Sequence, residues 1–194
     1  MIELTQARGP LSGWVISQLR GSPGWAAAPT FEGLPRTETE VLASDDLHLA
    51  LYLCYELAFG GIEGVDERWE WDPDLLSFRA ALEAPFESAV RRRVATAPPV
   101  PVGTIDARLR AVLRMDSGPS LSRFLERTGT VDQYREFLVH RSAYQLREAD
   151  PHSFGIPRLQ GPAKAALVQI QADEYGGGDA SWMHSALFAR SMRA

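Results

Sequence analysis

Apolar residues recur at helical spacing along most of the chain. No stretch shows the sustained apolar/polar alternation with β-branched enrichment that predicts a strand. The first 35 residues are rich in Gly, Pro and Trp and read as a loose N-terminal arm with one short helix near 14–19. Thr37 followed three residues later by Glu40 has capping-box spacing. Ser44 opens the apolar stretch from Leu47 to Phe59, which Gly60 and Gly61 stop. Asp72 before Pro73 predicts another helix start, with the helix running to about Val94. Pro98, Pro99 and Pro101 then mark an extended linker.

Beyond the linker the pattern predicts an amphipathic helix over 105–115, a short one over 121–127 and a long one over 131–150. Pro151 and Pro157 are expected to end the long helix in an extended bend. A further helix starts at Gly161-Pro162 and runs to Tyr175, where three glycines, Gly176 to Gly178, interrupt it. Asp179 can cap a last helix through Trp182, Met183, His184, Leu187 and Phe188. The chain therefore reads as all-α in four parts: an arm (1–35), a helical layer (36–95), a linker (96–104) and a second helical region (105–194). The layer is expected to pack on the later helices, because its 47–59 stretch is too apolar to stand exposed.

Composition narrows the classes. Of 194 residues, 45% are hydrophobic and 23% charged, which is globular and not disordered. A net charge of -5 speaks against nucleic acid as the main partner, and the one basic run, Arg91 to Arg93, reads as the last turn of a helix. The single cysteine, Cys54, excludes an internal disulfide and a thiolate zinc cluster; its apolar setting reads as a buried, inert thiol. No signal peptide is visible and no apolar run approaches the ~18 residues of a membrane span, so the cytoplasm is the expected compartment. Walker loops, dinucleotide fingerprints, nucleophile elbows and H-E-x-x-H are all missing from the sequence.

Three residues could carry chemistry. On a helix reaching Asp150, Glu148 shares a side with Phe137, Arg141 and Tyr144, where a carboxylate is costly unless paired or bound to metal. An ion pair with Arg141 and a metal ligand are the competing readings. Glu174 repeats the pattern with Ala163, Leu167 and Ile170. His184 falls on an apolar face with Ala180, Leu187 and Phe188; a histidine there is either a satisfied core residue or a ligand. Ten residues of straight helix would hold His184 ~15 Å from Glu174. The glycine break, with positive φ, is what would let the two approach; a helical corner without metal is the alternative. His140 faces away from Glu148, and Pro151 spoils the i,i+4 spacing of Glu148 and His152. Glu56 is left as structural.

The run from His140 through Tyr144, Glu148, Asp150, Pro151 and His152 resembles the first ligand helix of the iron-containing redox enzyme family. Ile156 to Leu159, Lys164 to Gly178, and Met183-His184 with Leu187-Phe188 continue the likeness, as does the upstream stretch Tyr55 to Pro73. These are haem-oxygenase-like diiron oxidases and oxygenases. The resemblance covers roughly 40–194 and implies a helical bundle of the haem-oxygenase-like fold, incomplete here, with an N-terminal helical extension. It implies Glu148 and Glu174 as the first two carboxylate ligands and His184 as the first imidazole ligand. The family's later His-x-x-x-Asp-x-x-His is not in this sequence, so the chain is expected to be a fragment or a shortened member. Three ligands are too few for two irons. With a complete site, two iron ions would activate O₂ to oxidise a small organic substrate, often one bearing nitrogen or a carboxyl group. No nucleic acid and no membrane partner is expected, and a homodimer is the commonest assembly for such enzymes. The rivals are an inactive helical interaction or scaffold module, and a haem-binding oxygenase-like protein with His184 or His140 as axial ligand.

Overall fold

Local side-chain caps set half of the α-helix starts in a computed structural model that describes residues 2–24, 29, 31–94, 101–115 and 118–194. The described residues form helices and turns; their one β feature is an isolated parallel bridge between Ile2 and Ile62. They group into two compact units, Met1–Pro99 and Val100–Ala194.

The first unit holds α1 (Pro10–Leu19), α2 (Glu38–Ala43), α3 (Asp45–Phe59) and α4 (Pro73–Arg93). Thr37 and Glu40 close the expected capping box on α2. Ser44 accepts from the Leu47 amide at the start of α3, and Asp72 accepts from the Asp74 and Leu75 amides ahead of Pro73. The amides of Gly60 and Gly61 both return to the Glu56 carbonyl, with Gly61 at a φ of 70°. Arg91 to Arg93 occupy the last turn of α4, as expected.

The arm is less loose than its composition suggests. Helix α1 begins at Pro10, and Leu11, Val15, Ile16 and Leu19 are buried against α3. The physical reason lies far along the chain. Asp46, in the first turn of α3, accepts from the backbone amides of Leu11 (3.0 Å) and Ser12 (2.8 Å), capping α1 from outside. Cys54 is buried as expected, and burial pushes its thiol up to about 12. Trp69 is buried and donates its indole N–H to the Gly21 carbonyl.

The second unit holds α5 (Ile105–Met115), α6 (Leu121–Arg127), α7 (Val131–Gln145), α8 (Asp150–Ser153), α9 (Gly161–Glu174) and α10 (His184–Arg193). Of the linker read at 96–104, residues 96–100 lie outside the described residues. Val102–Thr104 form a 3₁₀ turn closed by the Thr104 amide on the Pro101 carbonyl, where an extended segment was expected. Within this unit α10 packs on α7 and α8 on α9. No helix of the described residues is long and apolar enough to cross a membrane.

Two boundaries in this unit differ from the periodicity. Helix α7 ends at Gln145, not at 150. Pro151 has no N–H to offer the Arg147 carbonyl, and that carbonyl accepts from the Asp150 amide instead, tightening the chain. The bend through Pro151 and Pro157 is helical rather than extended: α8, then a 3₁₀ turn Ile156–Arg158. Likewise, Asp179 caps only the 3₁₀ turn Ala180–Trp182. The last α-helix starts at His184.

Candidate metal centre

The turn between α7 and α8, the end of α9 and the start of α10 surround one pocket of about 160 Å³. Its wall includes Glu148, Glu174 and His184. Glu174 is the last residue of α9. After Tyr175, the three glycines Gly176, Gly177 and Gly178 all take positive φ, at 63°, 63° and 94°, and reverse the chain. At Gly176 the turn is also tight, since a Cβ there would lie 2.6 Å from the Trp182 carbonyl carbon. The reversal brings His184 back onto Glu174. The imidazole Nδ1 lies 2.8 Å from Oε2 of the carboxylate, with the Glu174 side chain 17% exposed and that of His184 44% exposed. The approach read from the glycine break is therefore present.

At 2.8 Å the contact requires a proton on Nδ1 donated to the carboxylate. A neutral imidazole then keeps its lone pair on Nε2, the orientation in which histidines bind metals.

Glu148 stands in the turn after α7, not on the helix face. It accepts from Gln145 Nε2 at 2.7 Å and from the Tyr144 hydroxyl. That second bond is the main reason the Tyr144 phenol is held above its ordinary value; the Glu148 and Glu174 charges add to it. Arg141 donates to Gln145 Oε1 and lies over the Tyr144 ring, so the Gln145 amide stands between its guanidinium and Glu148. Glu148 lines the pocket without closing a cluster: among the described residues no group of three or more His, Cys, Asp or Glu side chains could hold a metal ion.

The buried face of α9 also differs from the expected stripe. Ile170 is exposed. The residues drawn inward are Lys164, Leu167, Gln171 and Glu174, and Gln171 is fully packed. Gln171 Nε2 donates to the Ala149 carbonyl and to Ser153 Oγ, each at 2.8 Å. The Tyr175 hydroxyl donates to Asp150 Oδ1 at 2.9 Å, and its phenol is raised first by burial and then by the negative charge around it. Sequence reasoning missed Gln171 and Tyr175, although Gln171 stands three residues before Glu174, where a shared helix face could have flagged it. His140 turns outward and faces Glu136 Oε1 at 3.8 Å, as expected; its side chain is 77% exposed.

Residues 135–194 match the family model described as iron-containing redox enzyme, and the all-α build agrees with the haem-oxygenase-like fold expected of it. The match spans the three candidate ligands and the whole pocket wall. No curated protein and no solved structure matches the chain. The donor set suits iron, which takes mixed carboxylate and imidazole ligands. Glu174 and His184 already meet, and Glu148 stands in the same wall.

Proposed function

We propose that this chain, whose residues 135–194 match the iron-containing redox enzyme family, supplies Glu148, Glu174 and His184 as ligands to the iron of an O₂-activating non-haem oxidase of the diiron type. The observation that carries this reading is the Glu174–His184 contact at 2.8 Å across a three-glycine reversal, inside a pocket that Glu148 also lines. The iron, when bound, supplies the electrons that activate O₂ for oxidation of a small organic substrate. The residues do the rest. Without metal, Glu174 and His184 hold each other through the Nδ1–H bond. Glu174 and Glu148 contribute negative charge that offsets the cation. Tyr144 and Gln145 hold the Glu148 carboxylate until metal competes for it.

The test is iron content by elemental analysis after anaerobic loading, followed by exposure to O₂. Stoichiometric iron and an O₂-dependent absorbance change are expected. A chain that takes up no iron contradicts the reading. A second reading, a helical module without catalysis, draws on the fact that no three described donors stand together as a metal-holding group. It predicts that Glu174→Gln and His184→Ala leave every binding property of the chain unchanged.

A further inference from the structure

The residue that spans the two halves of the pocket wall is Gln171, which is no candidate ligand. Its side chain is 4% exposed, and its amide nitrogen forks to the Ala149 carbonyl and Ser153 Oγ, both at 2.8 Å. Ala149 directly follows Glu148, and Gln171 lies on the same face of α9 as Glu174, three residues earlier. One buried amide therefore ties the backbone next to one candidate ligand to the helix that carries the other. Tyr175 adds a second tie from the residue after Glu174, through its hydroxyl to Asp150 Oδ1 at 2.9 Å.

The amide is an expensive choice for packing alone. Its Oε1 is buried with no hydrogen-bond partner among the described residues. An apolar side chain of similar volume would avoid that unmet acceptor. What an apolar side chain could not do is fix the 149–153 turn. The chain leaves α7 at Gln145 and re-enters helix only at α8, and the backbone bonds between are local ones that do not reach α9, so the tie from Glu148 to Glu174 comes from side chains.

We infer that Gln171, assisted by Tyr175, is a positioning residue that sets the separation of Glu148 from the Glu174–His184 pair and so tunes metal affinity. The inference rests on the iron reading above. Partners that orient ligands without touching the metal typically change affinity by about 10- to 100-fold when removed.

The experiment uses the full chain, with Fe²⁺ titrated anaerobically against a chromophoric chelator and Co²⁺ as a spectroscopic probe. Four proteins are compared: wild type, Gln171→Met, Tyr175→Phe and Leu167→Ala. Gln171→Met keeps the length and loses the donors. Leu167→Ala removes packing from the same face of α9 while leaving the hydrogen bonds of Gln171 and Tyr175 in place, and reports what destabilisation alone does. The expected result is a loss of Fe²⁺ affinity of about 10-fold or more for Gln171→Met, with an altered Co²⁺ visible spectrum. Tyr175→Phe should give a smaller loss in the same direction, and folded Leu167→Ala should bind like wild type. If Gln171→Met does not fold, the Tyr175→Phe affinity and spectrum decide. Wild-type affinity and spectrum in a folded Gln171→Met overturn the positioning role alone. Losses that follow the melting temperature equally in Gln171→Met and Leu167→Ala also overturn it. A wild-type chain that binds neither ion overturns the iron reading, and the positioning role with it.

Discussion

His184 Nδ1 and Glu174 Oε2 lie 2.8 Å apart although ten residues separate them, because the three glycines after Glu174 all take positive φ and turn the chain back on itself. The pair gives Glu174 a partner before any metal arrives, so the carboxylate is not the uncompensated charge that its helix position implies. Glu174→Gln should therefore cost little in the metal-free chain. The amide oxygen can still accept from Nδ1–H, so the hydrogen bond, worth about 0.5–1.5 kcal/mol, is kept. The same change should abolish most iron uptake. Thermal unfolding and metal analysis on one preparation check both halves; a large loss of stability with iron uptake intact would make Glu174 a structural residue.

Features that depend on neighbours in sequence were legible. Thr37 with Glu40, Ser44, and Asp72 before Pro73 each act within a few residues through their own side chains, and each caps the helix it was expected to cap. The glycine break was legible for the same reason. What escaped depends on distant partners. Helix α1 starts early because Asp46 reaches back across more than thirty residues to its first amides. The end of α7 was placed late because Pro151 acts on a carbonyl four residues upstream, so the periodicity continues where the hydrogen bonds do not. The inward face of α9 was misread by apolar pattern alone. Gln171 is buried and Ile170 exposed, because the turn it packs against presents a backbone carbonyl and a hydroxyl.

Asp46 should be the most sensitive acidic surface-rim position of the first unit. It accepts from two backbone amides and from Ser12 Oγ. Asp46→Ala leaves those donors without acceptors, and loss of a helix cap costs about 0.5–2 kcal/mol. Asp46→Asn keeps one acceptor oxygen and should recover part of that. Urea unfolding of the three proteins gives the order wild type, Asn, Ala; an Ala variant as stable as wild type would show that α1 needs no external cap.

Alkaline pH should weaken the first unit through Cys54 and Tyr55. Burial lifts the Cys54 thiol to about 12. Burial, then the hydrogen bond to Glu83, lifts the Tyr55 phenol to about 12. In both cases the folded state holds its proton longer than the unfolded chain does. Their stabilising contribution is full below about pH 9, where the unfolded thiol begins to ionise, and is lost as pH rises towards about 12. Urea midpoints measured across that window should fall with pH. Cys54→Ala and Tyr55→Phe should each flatten the fall, and parallel curves for all three proteins would assign the loss to other groups.

The glycines of the reversal make a sharper test than any one of them alone, because they share a backbone region and differ in surroundings. Gly176 and Gly177 both sit at a φ of 63°. An L-residue held there pays about 1–2 kcal/mol for the left-handed conformation. A Cβ on Gly177 meets open space, so Gly177→Ala should cost that and little more. A Cβ on Gly176 would lie 2.6 Å from the Trp182 carbonyl carbon and 2.7 Å from the Met183 nitrogen. Both are backbone atoms that cannot rotate aside, and they belong to the segment leading directly into His184. Gly176→Ala must therefore push the 182–184 strand of chain away and carry the imidazole off Glu174. The expected outcome is a larger stability loss for Gly176→Ala than for Gly177→Ala, together with loss of iron uptake in the first and retention in the second. The histidine ring resonances of His184 should shift in Gly176→Ala alone. Equal effects of the two substitutions would mean that the reversal tolerates movement at Gly176, and that the glycine turn does not itself hold His184 against Glu174.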